Sequence, residues 1–283
     1  MKMNNVKWGK VKWLASVSKT RGRQFDSASG HFMERNYQYD LSGKHLSMFD
    51  QQIRIKKAQK TISVLKDFLT ETSNLNLLDI GCSSGIMTRE YANHFKFVTG
   101  IDLDHRAIEF AKKNIKESNI KFLLTPIEES GFEDETFDVI TCSHIYEHVP
   151  SDIVLMEKIY RLLKPGGVCY LAAGNKYNII EPHYKLPFLS YFPKKIADIY
   201  IRLFTEEKEY YEKHRSLRGL KKLVFKFKIY DYTLKIIKYP SKFFAEEMIK
   251  ERTFKYYLYN LIAFFGYFII PTYVWILEKP REL

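Results

Sequence analysis

From Leu75 to Ala173 the chain keeps one rhythm: a short apolar run, a polar or small-residue turn, an amphipathic segment, then another apolar run. Leu75–Ile80, Phe97–Ile101, Ile120–Leu124, Phe137–Cys142 and Val168–Ala173 read as buried strands. Ile86–His94, Ala107–Ile115 and Ile153–Leu163 read as helices, and EESGFEDET as an acidic loop before the fourth strand. Apolar strands alternating with helices through short connections predict a mostly parallel sheet covered on both faces.

Outside this region the pattern changes. Ile53, Ile55, Ala58, Ile62, Leu65, Phe68 and Leu69 are spaced for an amphipathic helix between Met48 and Leu69. Residues 176–227, rich in Tyr, Phe and Lys, read as a mostly helical cap. IYDYTLKII (229–237) reads as a strand, Lys242 to Phe265 as a helix, and TYVWIL (272–277) as a seventh strand. The expected fold is therefore α/β: a Rossmann-like, doubly wound, mostly parallel seven-stranded sheet with a helical cap. Its expected parts are a basic arm (1–45), a ligand-binding core (46–175), a cap that forms the acceptor region (176–227) and a strand–helix–strand segment completing the sheet (228–283).

Composition narrows the setting. With 46% hydrophobic residues, the 283-residue chain has enough apolar material for a real core. Lys and Arg number 45 against 33 Asp and Glu, a net charge of +12 that suits nucleic acid, an anionic membrane surface or a phosphorylated ligand. Cys82, Cys142 and Cys169 are odd in number and lack C-x-x-C spacing, which argues for a reducing, cytoplasmic setting without disulfides. The N-terminus is basic without an apolar run, so no secretory signal is expected.

Two signals carry the chemistry. LLDIGCSSG (77–85) ends a strand on Asp79 and follows it with small residues. Gly81 and Gly85 let a ligand approach the backbone, the following helix start favours an anionic group, and Asp79 can face an ammonium. VTGIDLD then places Asp102 at the end of the second strand, where a carboxylate accepts from ribose hydroxyls. An ammonium, a carboxylate and a ribose together describe S-adenosylmethionine. A nicotinamide cofactor fits less well, because Ser83 stands where its fingerprint needs a glycine, and no G-K-[ST] phosphate loop occurs.

LLDIGCSSG, VTGIDLD, FDVITCSHIYEHVP and LLKPGG, in this order, resemble a class I S-adenosylmethionine-dependent methyltransferase, most of all its small-molecule, methyltransferase type 11-like branch. The resemblance covers roughly residues 75–175. It implies that Asp79, Gly81, Cys82, Ser83 and Gly85 cradle the methionine part, that Asp102 takes the ribose, and that Leu103, Ile127 and Glu128 meet the adenine. Ser143 and His144 would line the methionine side. Pro126 replaces an acid common in relatives, so Glu128 or a backbone carbonyl must take the adenine amino group. The segment after the fifth strand, GNKYNIIEPHYKLPFLSYFP, resembles methyltransferases of surface-glycan and lipid-linked pathways, and places Asn175, Glu181, His183 and Tyr184 near the methyl group.

A sulfonium is a good leaving group, so alignment supplies much of the catalysis, and an oxygen or nitrogen acceptor adds the need for a base. His144, His148 and His183 are the candidates; His144 and His183 are favoured, and His148 is read as capping or packing the following helix. His144, Glu147 and His148 have spacing that suits a metal, and some ubiquinone-pathway O-methyltransferases with a similar motif place acids there. No metal is expected, because methyl transfer does not require one. The uncharged run LYNLIAFFGYFIIPTYVWIL (258–277) is read as a buried helix feeding the last strand, since Gly266 and Pro271 interrupt it. A membrane-surface contact through its aromatic face is the further reading. The expected partner is a small-molecule, glycan or lipid-linked acceptor. RNA methylation and a non-catalytic binding role are the alternatives.

Overall fold

A computed structural model describes residues 37, 46–247 and 249–281. The basic arm, Tyr37 aside, lies outside them. A 3-10 turn at Leu46–Phe49 leads into α1 (Gln51–Phe68), whose N-cap Asp50 accepts from the Ile53 amide. Then come β1 (Asn76–Ile80), α2 (Ile86–Ala92), β2 (Phe97–Asp102), α3 (His105–Asn114), β3 (Ile120–Leu124), β4 (Phe137–Ser143), α4 (Asp152–Leu162) and β5 (Leu163–Gly174). These follow the predicted alternation within a few residues at each end. β5 starts earlier than expected, because the Lys164–Gly167 turn joins it through a register shift opposite Phe137 and Val139.

The sheet has seven strands in the order β3-β2-β1-β4-β5-β7-β6. β1 to β5 are parallel, and β7 (Thr272–Glu278) runs antiparallel to both β5 and β6 (Lys228–Asp231). The order reverses between β1 and β4, so the loops after these strands open the crevice where such sheets bind ligands. Two apolar layers cover the sheet. One packs α4 against Leu78, Ile140, Leu171 and Trp275; the other packs α1 against Leu77, Val98, Tyr170 and Ile276. Alternate residues of each strand serve opposite layers, as the period of two requires.

The C-terminal third departs from the predicted pattern in three places. Within 176–227, α5 (Lys194–Phe204) and α6 (Leu217–Leu223) are α-helical, whereas residues 175–188 and 205–216 run as loops and turns. The expected strand 229–237 stops at Asp231, whose Oδ1 accepts from the Thr233 amide and starts α7 (Thr233–Lys238). The expected long helix from Lys242 forms only as α8 (Phe254–Phe265). Before it, Phe243 and Ala245 turn into the core and Phe244 and Arg252 take positive φ.

α8 is also not buried. Ala263 is its one buried residue, while Phe254, Phe264 and Phe265 are 83%, 78% and 74% exposed. Among the described residues, no helix is long and apolar enough to cross a membrane. Trp275, by contrast, is enclosed between Tyr273 and the α4 layer. In urea unfolding, Trp275→Ala should therefore lose about 3–5 kcal/mol of stability. Phe264→Ser should stay within about 0.5 kcal/mol of the native chain.

Candidate functional site

The tips of β1 and β2 are joined through polar atoms. Asp79 is buried at the end of β1, and its two oxygens accept from Thr88 Oγ1 of α2 (2.7 Å) and Thr141 Oγ1 of β4 (2.6 Å). Burial pushes its carboxyl up to about 6, against those two bonds and the Arg54 charge. Asp102, half-buried, accepts from the Ser83 amide (2.7 Å) and the Asp104 amide (2.9 Å). Its carboxyl is raised by burial, with the backbone bonds opposing. The β2 acid thus holds the small-residue bend in place and keeps lone pairs for a ligand.

Side chains from elsewhere in the fold fill the space beside both glycines. Gly85 has φ +73°, and a Cβ there would lie 2.7 Å from the Phe122 ring and 2.9 Å from Ala111 Cβ. Its missing side chain lets α3 and β3 close up. Gly81 has φ +72°, and the room beside it is taken by Ile145, whose Cδ1 would stand 2.1 Å from a Cβ at 81. Cys82 turns inward onto Ile108, Ala111 and Phe122. Ser83 takes φ +51°, and its buried hydroxyl oxygen has no hydrogen-bond partner. An unpartnered buried hydroxyl beside an accepting carboxylate suits a ligand that brings both donors and acceptors.

Two features of this corner were missed in the sequence. The turn before α1 crosses the bend, with Ser84 Oγ donating to the Met48 carbonyl (2.6 Å) and Phe49 meeting Phe110 edge-on. Arg54 of α1 brings its charge to bear on both Asp79 and Asp102. A helix read only for its apolar face gives no hint that its polar face supplies a cation. On the adenine side, Ile127 is buried, Leu103 is half-buried, and Glu128 Oε2 accepts from the Tyr37 hydroxyl (2.7 Å).

Past β4 and β5 lies a second polar group. Ser143 ends β4, and His144 follows in a left-handed conformation (φ +55°) with an exposed ring whose Nδ1 lies 3.2 Å from Glu147 Oε1. Glu147 is buried. Burial would raise it, but the His144 bond and the charges of His144, His148 and His214 hold it at about 2. Four positions from His144, His148 turns elsewhere: its ring packs edge-on against His183, and its Nδ1 stands 3.8 Å from Glu212 Oε1. His183 Nδ1 lies 2.7 Å from Glu181 Oε1, and His214 Nε2 lies 3.3 Å from the same oxygen. The two backbone amides of His183 and Tyr184 occupy Glu181 Oε2. Burial opposes the ionisation of Glu181, but its two imidazoles outweigh that and keep it at about 2.

Glu212 and His214 reach this group from a loop 31 and 33 residues beyond Glu181, a distance that local patterns do not bridge. Asn175 serves another purpose. Its amide donates to the carbonyls of Phe268 and Ile270, fixing the approach to β7.

A family model described as a methyltransferase domain matches residues 78–171. The chain is 35% identical over 105 residues to the ubiquinone biosynthesis O-methyltransferase of Psychrobacter cryohalolentis, covering 35% of this chain and 41% of that protein. It is 32% identical over 103 residues to the enzyme of the same name from Coxiella burnetii, covering 36% and 44%. The chain thus spans less than half the length of these curated relatives. Among solved structures, an S-adenosylmethionine-dependent methyltransferase from Mesorhizobium loti superposes with TM-score 0.50 at 15% identity, over 76% of this chain and 96% of that one. The [4+2]-cyclase SpnF gives TM-score 0.50 at 11% identity, over 88% and 89%. Such likeness shows the fold alone, and the cyclase is a reminder that the fold does not fix the chemistry. The motifs and the family match together make residues 78–171 a methyltransferase domain of the class I, S-adenosylmethionine-dependent kind.

The buried Asp79 gives a direct test. An acid whose pKa rises on folding destabilises the folded chain as it ionises, so this group lowers stability between pH 3.8 and about 6 and by a constant amount above. Asp79→Asn removes that term and can keep both threonine bonds. Its stability advantage over the native chain should grow through this window to about 3 kcal/mol, measured by urea unfolding at several pH values.

Proposed function

We propose that the protein transfers a methyl group from S-adenosylmethionine to an oxygen of a small acceptor carried on a lipid. The observation that carries the cofactor half is Asp102, held by the Ser83 and Asp104 amides at the β2 tip beside the unpartnered Ser83 hydroxyl. In this reading Asp102 accepts from the ribose hydroxyls, Ser83 and the backbone of 81–85 face the methionine part, and Asp79 and Arg54 set the charge beneath it. Leu103, Ile127 and Glu128 border the adenine, and Ser143 and Ile145 border the sulfur side. S-adenosylmethionine supplies the methyl on a sulfonium that departs as a neutral thioether.

His144 is assigned the proton of the acceptor hydroxyl. Glu147 beside Nδ1 fixes the ring and balances the imidazolium, leaving Nε2 to accept. His183 is similarly backed by a carboxylate, that of Glu181, but stands against His148 and His214. The ubiquinone biosynthesis O-methyltransferases similar to this chain support a small-molecule oxygen acceptor. Calorimetry should show S-adenosylmethionine binding by the native chain and a loss of about 1–3 kcal/mol in Asp102→Ala. His144→Ala should keep that affinity and slow transfer by about 10²–10⁴-fold. No binding to the native chain would defeat the reading.

The lipid-linked acceptor rests on α8. Phe254, Tyr257, Leu261, Phe264 and Phe265 form an exposed apolar face, and Phe268 extends it. Lys255, placed over the Tyr259 ring, and the net charge of +12 complement an anionic bilayer surface. The native chain should float with vesicles of phosphatidylglycerol and phosphatidylcholine. Phe264→Ser with Phe265→Ser should weaken that about tenfold or more. Equal flotation of both proteins, or none of the native one, would remove the membrane contact.

A further inference from the structure

We infer that His148, His183 and Glu212 form a site for one divalent transition-metal ion, with Glu181 orienting His183 from behind. Each of the three offers one ligand atom, and these atoms lie within 4.8 Å of one another. His148 Nδ1 to Glu212 Oε1 is 3.8 Å, beyond hydrogen-bond reach, whereas ligands of an ion with bonds of about 2.0–2.1 Å stand about 3.0–3.5 Å apart. Drawing the three ligand atoms together by up to about 1.5 Å closes the site. The His148 and His183 rings meet edge-on at 87°, and one nitrogen of each lies within 4.8 Å of the other and of a Glu212 oxygen.

Glu181 supplies the second observation. Its Oε1 engages Nδ1 of His183 at 2.7 Å, which makes Nε2 the nitrogen a metal would take. A carboxylate behind a ligating imidazole fixes its tautomer and raises its basicity. The side chain of Glu181 is fully buried and held by two backbone amides and two imidazoles, so it is rigid. Two imidazoles and one carboxylate suit Zn²⁺, Co²⁺ or Mn²⁺ better than Mg²⁺ or Ca²⁺. Three protein ligands leave coordination positions open, and the site lies past the β4 and β5 ends where the proposed function puts the acceptor. There the ion would hold an acceptor oxygen. The location of that role rests on the proposed function, whereas metal binding does not.

The test uses Co²⁺ as a probe, through its visible d–d absorption, with S-adenosylmethionine binding to the same samples measured in parallel. One Co²⁺ should bind per native chain. His183→Ala and Glu212→Gln should abolish the spectrum, and Glu181→Gln should weaken binding about 10–100-fold. His105→Ala, an exposed histidine on α3, should behave as native. A native chain that binds S-adenosylmethionine but shows no Co²⁺ spectrum overturns the metal site and leaves the methyltransferase reading standing. An unchanged spectrum in Glu212→Gln overturns the ligand set. Each variant's thermal melt separates loss of ligand from loss of fold.

Discussion

Three elements meet at one buried carboxylate. Asp79 lies one residue before the end of β1, and its oxygens take the hydroxyl of Thr88 from α2 and that of Thr141 from β4. This contact closes the switch point of the sheet: β1 and β4 diverge in connection there, and the small-residue bend leaves from the same place. Burying an acid in this position costs stability, as its raised pKa records. The acid also keeps negative charge directly under a bend whose other anchor is Asp102. The corner thus carries, at a cost in stability, a polar arrangement that suits a cationic, hydroxylated ligand.

Much of this was legible in the sequence, and the limits have physical causes. β1 to β5 and their helices are set by local hydrophobic period, which reads directly from the residues. Asp102 and Ser83 follow from their places in a strand–loop–helix pattern. Gly81 and Gly85 stand in the bend after β1, but what fills the space beside them was not legible: Ile145 arrives from the loop after β4 and Phe122 from β3, and no local rule reveals that. The His144–Glu147 pair is three residues apart and could be seen, but His148 meets Glu212 and His183 only through the fold.

The C-terminal third was harder for a related reason. The apolar residues of α8 are spaced like those of a buried helix, and only the contacts of the folded chain show that they face outward. Likewise IYDYTLKII has strand composition throughout, yet the Asp231 side chain caps the Thr233 amide and converts its second half to helix. Such side-chain competition with the ladder is local in distance but too weak in sequence signal to override the apolar run.

The placement of β7 has a bearing on how the chain reaches this state. β6 precedes β7 in sequence but pairs with no other strand, and β7 fills the gap between β6 and β5. Until the final residues of β7 settle, β5 presents an open edge and β6 has nothing to lie against. Placing β7 is what closes the sheet and brings Tyr273 and Trp275 under the α4 layer. Without β7 the chain would expose the β5 edge as well as the apolar face of α8, two surfaces open to pairing with other chains.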